Sequence, residues 1–183
     1  MIDYYSRVME VLKDSIESIP IDVYEKVIDE CVETIDAGGK IIASGLGKNV
    51  PICEKFVGTL NSLGIDARFL HTNTAVHGDL GMVGKNDIVF LLSKGGNTYE
   101  TVALAEYLKQ RGTNTWLFSF YENCKTAEII SKKLILNLIQ KNLNSLPTKR
   151  KCFPAMLTKK KIYLRLLPEM KKIPRQLLQK ILR

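Results

Sequence analysis

The sequence predicts an α/β fold, with a parallel sheet of five strands covered by helices on both faces and preceded by two helices. Three observations lead there. From Lys40 onward, short β-rich runs alternate with longer helical stretches. The run Asp87–Leu92 (DIVFLL) is continuously apolar after its first residue, as strands buried on both faces are. Glycines stand where strands give way to helices and where helices end.

The elements follow in order. Within Ile2–Ile19, Tyr5, Val8, Met9, Val11, Leu12 and Ile16 form an apolar stripe at helical spacing, and Pro20 stops it. Asp22 is the expected N-cap of a second helix, Val23–Asp36, terminated by Gly38-Gly39. Neither helix carries a chemical motif, so packing or oligomerisation is their expected role. Lys40–Ser44 reads as the first strand, followed by Gly45-Leu46-Gly47-Lys48 and a helix from about Val50 to Leu63. Ala67–Leu70 is the second strand and Asp87–Leu92 the third. A helix over Tyr99–Arg111 ends at Gly112, then come a strand at Thr115–Phe118, a helix at Thr126–Lys132 and a strand at Leu134–Leu138.

Composition bounds the function. A chain of 183 residues, 45% hydrophobic and 25% charged, suits one globular domain with a sizeable core. No apolar run reaches the ~20 residues that span a bilayer, and the N-terminus lacks the basic-then-apolar pattern of a signal peptide. A cytoplasmic protein with no membrane partner is expected. Cys31, Cys53, Cys124 and Cys152 are scattered without C-x-x-C spacing, and there are two histidines, so no metal site is expected. Charge is lopsided: residues 131–183 hold 15 Lys and Arg against the single acid Glu169, while residues 1–130 carry a net −6. No zinc knuckle or RNP aromatic run accompanies the basic stretch, and a nucleic-acid partner is not expected.

Ligands of a doubly wound sheet bind beyond the carboxyl ends of its strands. Three segments leave such ends here: Ser44–Asn49, His71–Met82 and Ser93-Lys94-Gly95-Gly96-Asn97-Thr98. The third lies between an apolar strand and a helix start. Its glycines free backbone N–H groups, Ser93 and Thr98 add hydroxyls, and the helix dipole favours an anion. The plain alternative is a loop with an ordinary helix cap. A Walker loop is excluded because Ile42 stands where its first glycine belongs, and Val50 breaks the dinucleotide fingerprint G-x-G-x-x-G.

Together, Ser44-Gly45-Leu46-Gly47-Lys48, Ala75-Val76-His77-Gly78-Asp79-Leu80-Gly81-Met82 and Ser93–Thr98 resemble the sugar isomerase (SIS) domain family, in its arabinose-5-phosphate isomerase-like branch. The resemblance spans residues 1–148, ending in Leu143-Asn144-Ser145-Leu146-Pro147-Thr148, which echoes the family's L-N-x-x-P-T. It implies a flavodoxin-like three-layer α-β-α sandwich and a dimer or tetramer, with His77 the best candidate to act across the interface. Residues 149–183 depart from the family as a basic tail with 12 Lys and Arg and one acid. There a cationic amphipathic helix from about Arg175, loose packing and weak or absent turnover are expected. Two further departures fall in the site, since Gly95 and Asn49 stand where the family has serines.

The implied activity is aldose–ketose isomerisation of ribulose 5-phosphate and arabinose 5-phosphate through an enediol, without a cofactor. Such chemistry needs a base, a charge stabiliser and an acid/base shuttle. Lys48 is the candidate for positive charge, His77 for the shuttle and Glu100 for the carboxylate base. The plain alternatives are a solvated lysine, a turn-capping histidine and a glutamate serving the helix dipole. His71 and Asp79 read as structural. The phosphosugar-binding set is Ser44, Gly45, Gly47, Asn49, Ser93, Gly95, Gly96, Asn97 and Thr98. The rival reading is a non-catalytic phosphosugar-binding module. A third makes the tail a nucleic-acid contact, which DNA retention lost on deleting residues 149–183 would support.

Overall fold

Short aliphatic runs flanked by glycine and turn residues build the sheet, and longer amphipathic stretches cover it. The computed structural model describes residues 2–136. The Leu143–Thr148 segment, the tail 149–183 with its expected helix from about Arg175, and the end of the expected fifth strand lie outside the described residues.

Helices α1 (Ile2–Glu17) and α2 (Ile21–Asp36) precede strand β1 (Ile41–Gly45). Helix α3 (Val50–Ser62), β2 (Ala67–His71), the short α4 (Thr72–Ala75), β3 (Ile88–Leu92), α5 (Tyr99–Gln110), β4 (Asn114–Ser119), α6 (Lys125–Ile129) and β5 (Lys133–Ile135) follow. The five strands are all parallel, in the order β2-β1-β3-β4-β5. Side chains alternate between the faces of each strand. Ile42, Val89, Leu91 and Leu117 pack with Leu104, Ala105 and Leu108 of α5 and with Ile130 on one face. Ile41, Ala43, Ile88, Phe90 and Trp116 pack with Val27 of α2 and Cys53 and Val57 of α3 on the other. The architecture is therefore the expected three-layer α-β-α sandwich after two N-terminal helices. Each buried aliphatic side chain contributes roughly 1.5–3 kcal/mol relative to exposure.

Two polar clusters lie toward the amino ends of the strands. Asp87 accepts from Lys40 Nζ at 2.6 Å, from the Lys40 N–H at 2.9 Å and from the Gly84 N–H at 2.6 Å. Burial disfavours its charge, but these donors outweigh that and hold the carboxyl below its usual range. Glu30 of α2 likewise accepts from Trp116 Nε1 at 2.8 Å and Lys132 Nζ at 2.9 Å, tying α2 to the β4–β5 edge. Its carboxyl is also lowered, against the opposing effect of burial, by the Lys132 and Trp116 bonds.

Three expectations are corrected. Asp22 is not the N-cap of α2: Pro20 is, with φ −60° and ψ 126°. The Pro20 carbonyl accepts the Tyr24 N–H at 3.2 Å, and Asp22 falls in the first turn, where its charge suits the dipole. The helix expected over Thr126–Lys132 ends at Ile129. Ile130 turns extended and buries in the core, and the Lys132 carbonyl accepts the Leu117 N–H at 2.9 Å, so the chain joins the sheet early. The segment His71–Met82 is more regular than a loop, holding α4 and a 3-10 turn at Asp79–Met82.

Candidate functional site

Connections out of the sheet determine where loops can meet. The chain leaves β1 toward β2 on one side, then crosses to β3 on the other, so the switch in strand order falls between β1 and β3. Gly45 is paired with Leu92 of β3 and His71 of β2. The segments after all three strands therefore emerge side by side at one carboxyl edge. All nine expected phosphosugar residues and Lys48, His77 and Glu100 lie on these segments or at their strand and helix ends.

In the first segment Gly45 is buried, and a Cβ there would lie 2.8 Å from Asn49 Cβ and 2.9 Å from Cys53 Sγ. Glycine lets α3 start close against the strand. Pro51 sits in the first turn of α3, where a missing N–H is harmless. Gly47 has φ 59° and begins a 3-10 turn through Asn49 that carries the exposed Lys48. Asn49 Nδ2 donates to the Leu92 carbonyl at 3.0 Å, joining this segment to the end of β3. Ser44 is fully buried, its hydroxyl 3.1 Å from that of Thr72.

In the second segment His71 Nδ1 accepts the Asn73 N–H at 3.3 Å, which caps α4 and bears out its structural reading. His77 is exposed, and its N–H donates to the Thr74 carbonyl at 3.0 Å. Arg111, at the end of α5, donates to the carbonyls of Leu80 at 3.1 Å and Val83 at 3.2 Å, pinning the turn after His77.

In the third segment Ser93 is buried, and its Oγ accepts the Gly96 N–H at 3.1 Å. The Ser93 hydroxyl proton stays free to donate. Gly96 has φ 62° and packs against Cys124, whose Sγ occupies the place a Cβ would take. Gly95 faces open space. Exposed Thr98 is the N-cap of α5 without a side-chain cap bond, and half-buried Glu100 lies in the first turn. Among the described residues, no hydrogen bond or ion pair joins the side chains of Lys48, His77 and Glu100 to one another. Among the same residues, no group of three His, Cys, Asp or Glu side chains is arranged to hold a metal, and no helix is long and apolar enough to cross a membrane.

Sequence reasoning missed Thr72 and Thr126. Thr126 Oγ1 donates to the Gly96 carbonyl at 2.7 Å from thirty residues away. A hydroxyl beside a helix start was the only local signal for it.

Comparison with known proteins agrees with this fold. Residues 35–120 match the SIS domain model. A putative phosphosugar isomerase involved in capsule formation, from Bacteroides fragilis, is 31% identical with a TM-score of 0.66, over 74% of this chain and 73% of that one. A protein of E. coli CFT073, solved in complex with a sugar phosphate, has 29% identity and the same TM-score of 0.66, over 74% of this chain and 70% of that one. The Pseudomonas aeruginosa arabinose 5-phosphate isomerase KdsD is 31% identical over 106 residues, which are 58% of this chain and 32% of that protein. A Helicobacter pylori protein is 34% identical over 76% of this chain and 45% of its own length, so the chain spans less than half of these curated relatives. With the open-sheet topology, the loops at its switch point and these matches together, the chain belongs to the SIS domain family.

Proposed function

We propose that this chain binds a sugar 5-phosphate at the β1–β3 carboxyl edge and interconverts ribulose 5-phosphate and arabinose 5-phosphate through an enediol. The carrying observation is the Gly45–Leu92 pairing with the Asn49 tie, which sets the Lys48 segment beside the Ser93–Thr98 loop. The loop's N–H groups and the Ser93 and Thr98 hydroxyls hold the phosphate. Glu100 takes the proton from the carbon beside the carbonyl and returns it to the former carbonyl carbon, Lys48 stabilises the enediolate oxygen between the two transfers, and His77 moves a second proton between the two oxygens. No cofactor takes part. The domain runs over residues 1–148, works in the cytoplasm and pairs as a dimer or tetramer.

Incubating purified protein with ribulose 5-phosphate and following aldose formation by NMR tests this, with slow turnover expected. A second reading, binding without turnover, is favoured by two features. Gly95 brings no hydroxyl, and the Asn49 side chain is engaged with Leu92. Calorimetric binding of arabinose 5-phosphate with no aldose formed selects that reading. Neither binding nor turnover overturns both.

A further inference from the structure

The β4–α6 segment, Ser119–Thr126, meets the Ser93–Thr98 loop through acceptors of the loop. The Lys94 carbonyl accepts from the Phe120 N–H and the Ser119 hydroxyl, both at 3.2 Å. The Gly96 carbonyl accepts from the Thr126 N–H at 3.0 Å and the Thr126 hydroxyl at 2.7 Å. Asn97 Oδ1 accepts the Lys125 N–H at 2.9 Å. Cys124 closes the remaining space beside Gly96. All these bonds run one way, from donors in one segment to acceptors in the other. The N–H groups of Gly95, Asn97 and Thr98 donate to no acceptor among the described residues. An anion site needs that division, because carbonyl oxygens repel phosphate and free N–H groups attract it.

Resting on the proposed reading of Ser93–Thr98 as the phosphate loop, we infer that Thr126 is a positioning residue for sugar-phosphate binding. Its fully buried hydroxyl draws the Gly96 carbonyl to α6 and holds the loop's donors ready for the anion. Starting α6 does not require this hydroxyl, since the helix has Cys124 as its N-cap and no side-chain cap bond.

The test compares Thr126→Val, which keeps the shape and removes the hydroxyl, with Thr126→Ser, which keeps the hydroxyl. Two readouts are taken: calorimetric affinity for arabinose 5-phosphate, and amide exchange at residues 93–98 in the ligand-free protein. Loss of one buried hydrogen bond predicts about tenfold weaker binding for the valine variant, and about wild-type binding for serine. The bonded amides of the loop, those of Ser93 and Gly96, exchange faster in Thr126→Val and not in Thr126→Ser. Should the valine variant fail to fold, Thr126→Ala removes the same hydroxyl and is expected to speed the same amides. Unchanged loop exchange in the folded variant overturns the positioning role, whatever the protein binds. Wild-type protein that binds no sugar phosphate overturns the phosphate reading, while the exchange result still decides whether Thr126 orders the loop.

Discussion

The side-chain amide of Asn49 donates to the Leu92 carbonyl at 3.0 Å, binding the segment after β1 to the last residue of β3. The bond spans the switch in strand order. Asn49→Ser leaves a hydroxyl too short to keep it. A loss of about 1 kcal/mol is expected, seen as a lower urea midpoint at unchanged slope. An unaltered midpoint shows that the tie adds nothing net.

The two adjacent loop glycines are predicted to differ sharply. Gly96→Ala places a methyl group onto Cys124 at φ 62° and is expected to cost about 1–3 kcal/mol and to abolish phosphate binding. Gly95 has open space and no positive φ, so Gly95→Ser should fold as the wild type does. It also adds a hydroxyl at the proposed anion site, and tighter binding of arabinose 5-phosphate by calorimetry is the expected gain. Weaker binding by the serine variant counts against Ser93–Thr98 as the phosphate loop.

Asp87 makes stability depend on acid pH. Its native carboxyl lies below the ordinary value, because Lys40 and two N–H groups outweigh burial. A lowered native pKa contributes stability that is complete above about pH 5 and is lost as pH falls through the lower native value. Asp87→Asn should cost about 2–3 kcal/mol at pH 7 and flatten the acid limb of a stability–pH curve. An acid limb as steep as that of the wild type assigns the loss elsewhere, Glu30 being the next group to test.

Thiol chemistry offers a further check. Burial pushes the Cys31 thiol up to about 12, with the neighbouring Glu30 charge adding to it, and burial pushes Cys53 to about 12 as well. At pH 8 only about one part in ten thousand is the reactive thiolate. Iodoacetamide at that pH should leave both unlabelled in native protein and label both in denaturant, read by peptide mass spectrometry. Rapid native labelling of Cys53 means that α3 opens away from Gly45.

What the sequence determined by itself is the kind of element and its place along the chain. The apolar run of β3, the stripe of α1 and the glycines after strands are local patterns, because strand and helix periodicities place side chains on definite faces. Those patterns marked Ser93–Thr98 and Gly45–Asn49 as candidate ligand segments before any fold was known. The tertiary structure alone decided their partners. Strand order set Asn49 beside Leu92, 43 residues away, and Thr126 beside Gly96, 30 residues away. It likewise turned the Ser44 hydroxyl inward to Thr72 and ended α6 at Ile129 so that Ile130 could enter the core. A hydrogen bond depends on position and angle within fractions of an ångström. Residues distant in the chain reach such positions only once the whole sheet has been laid down.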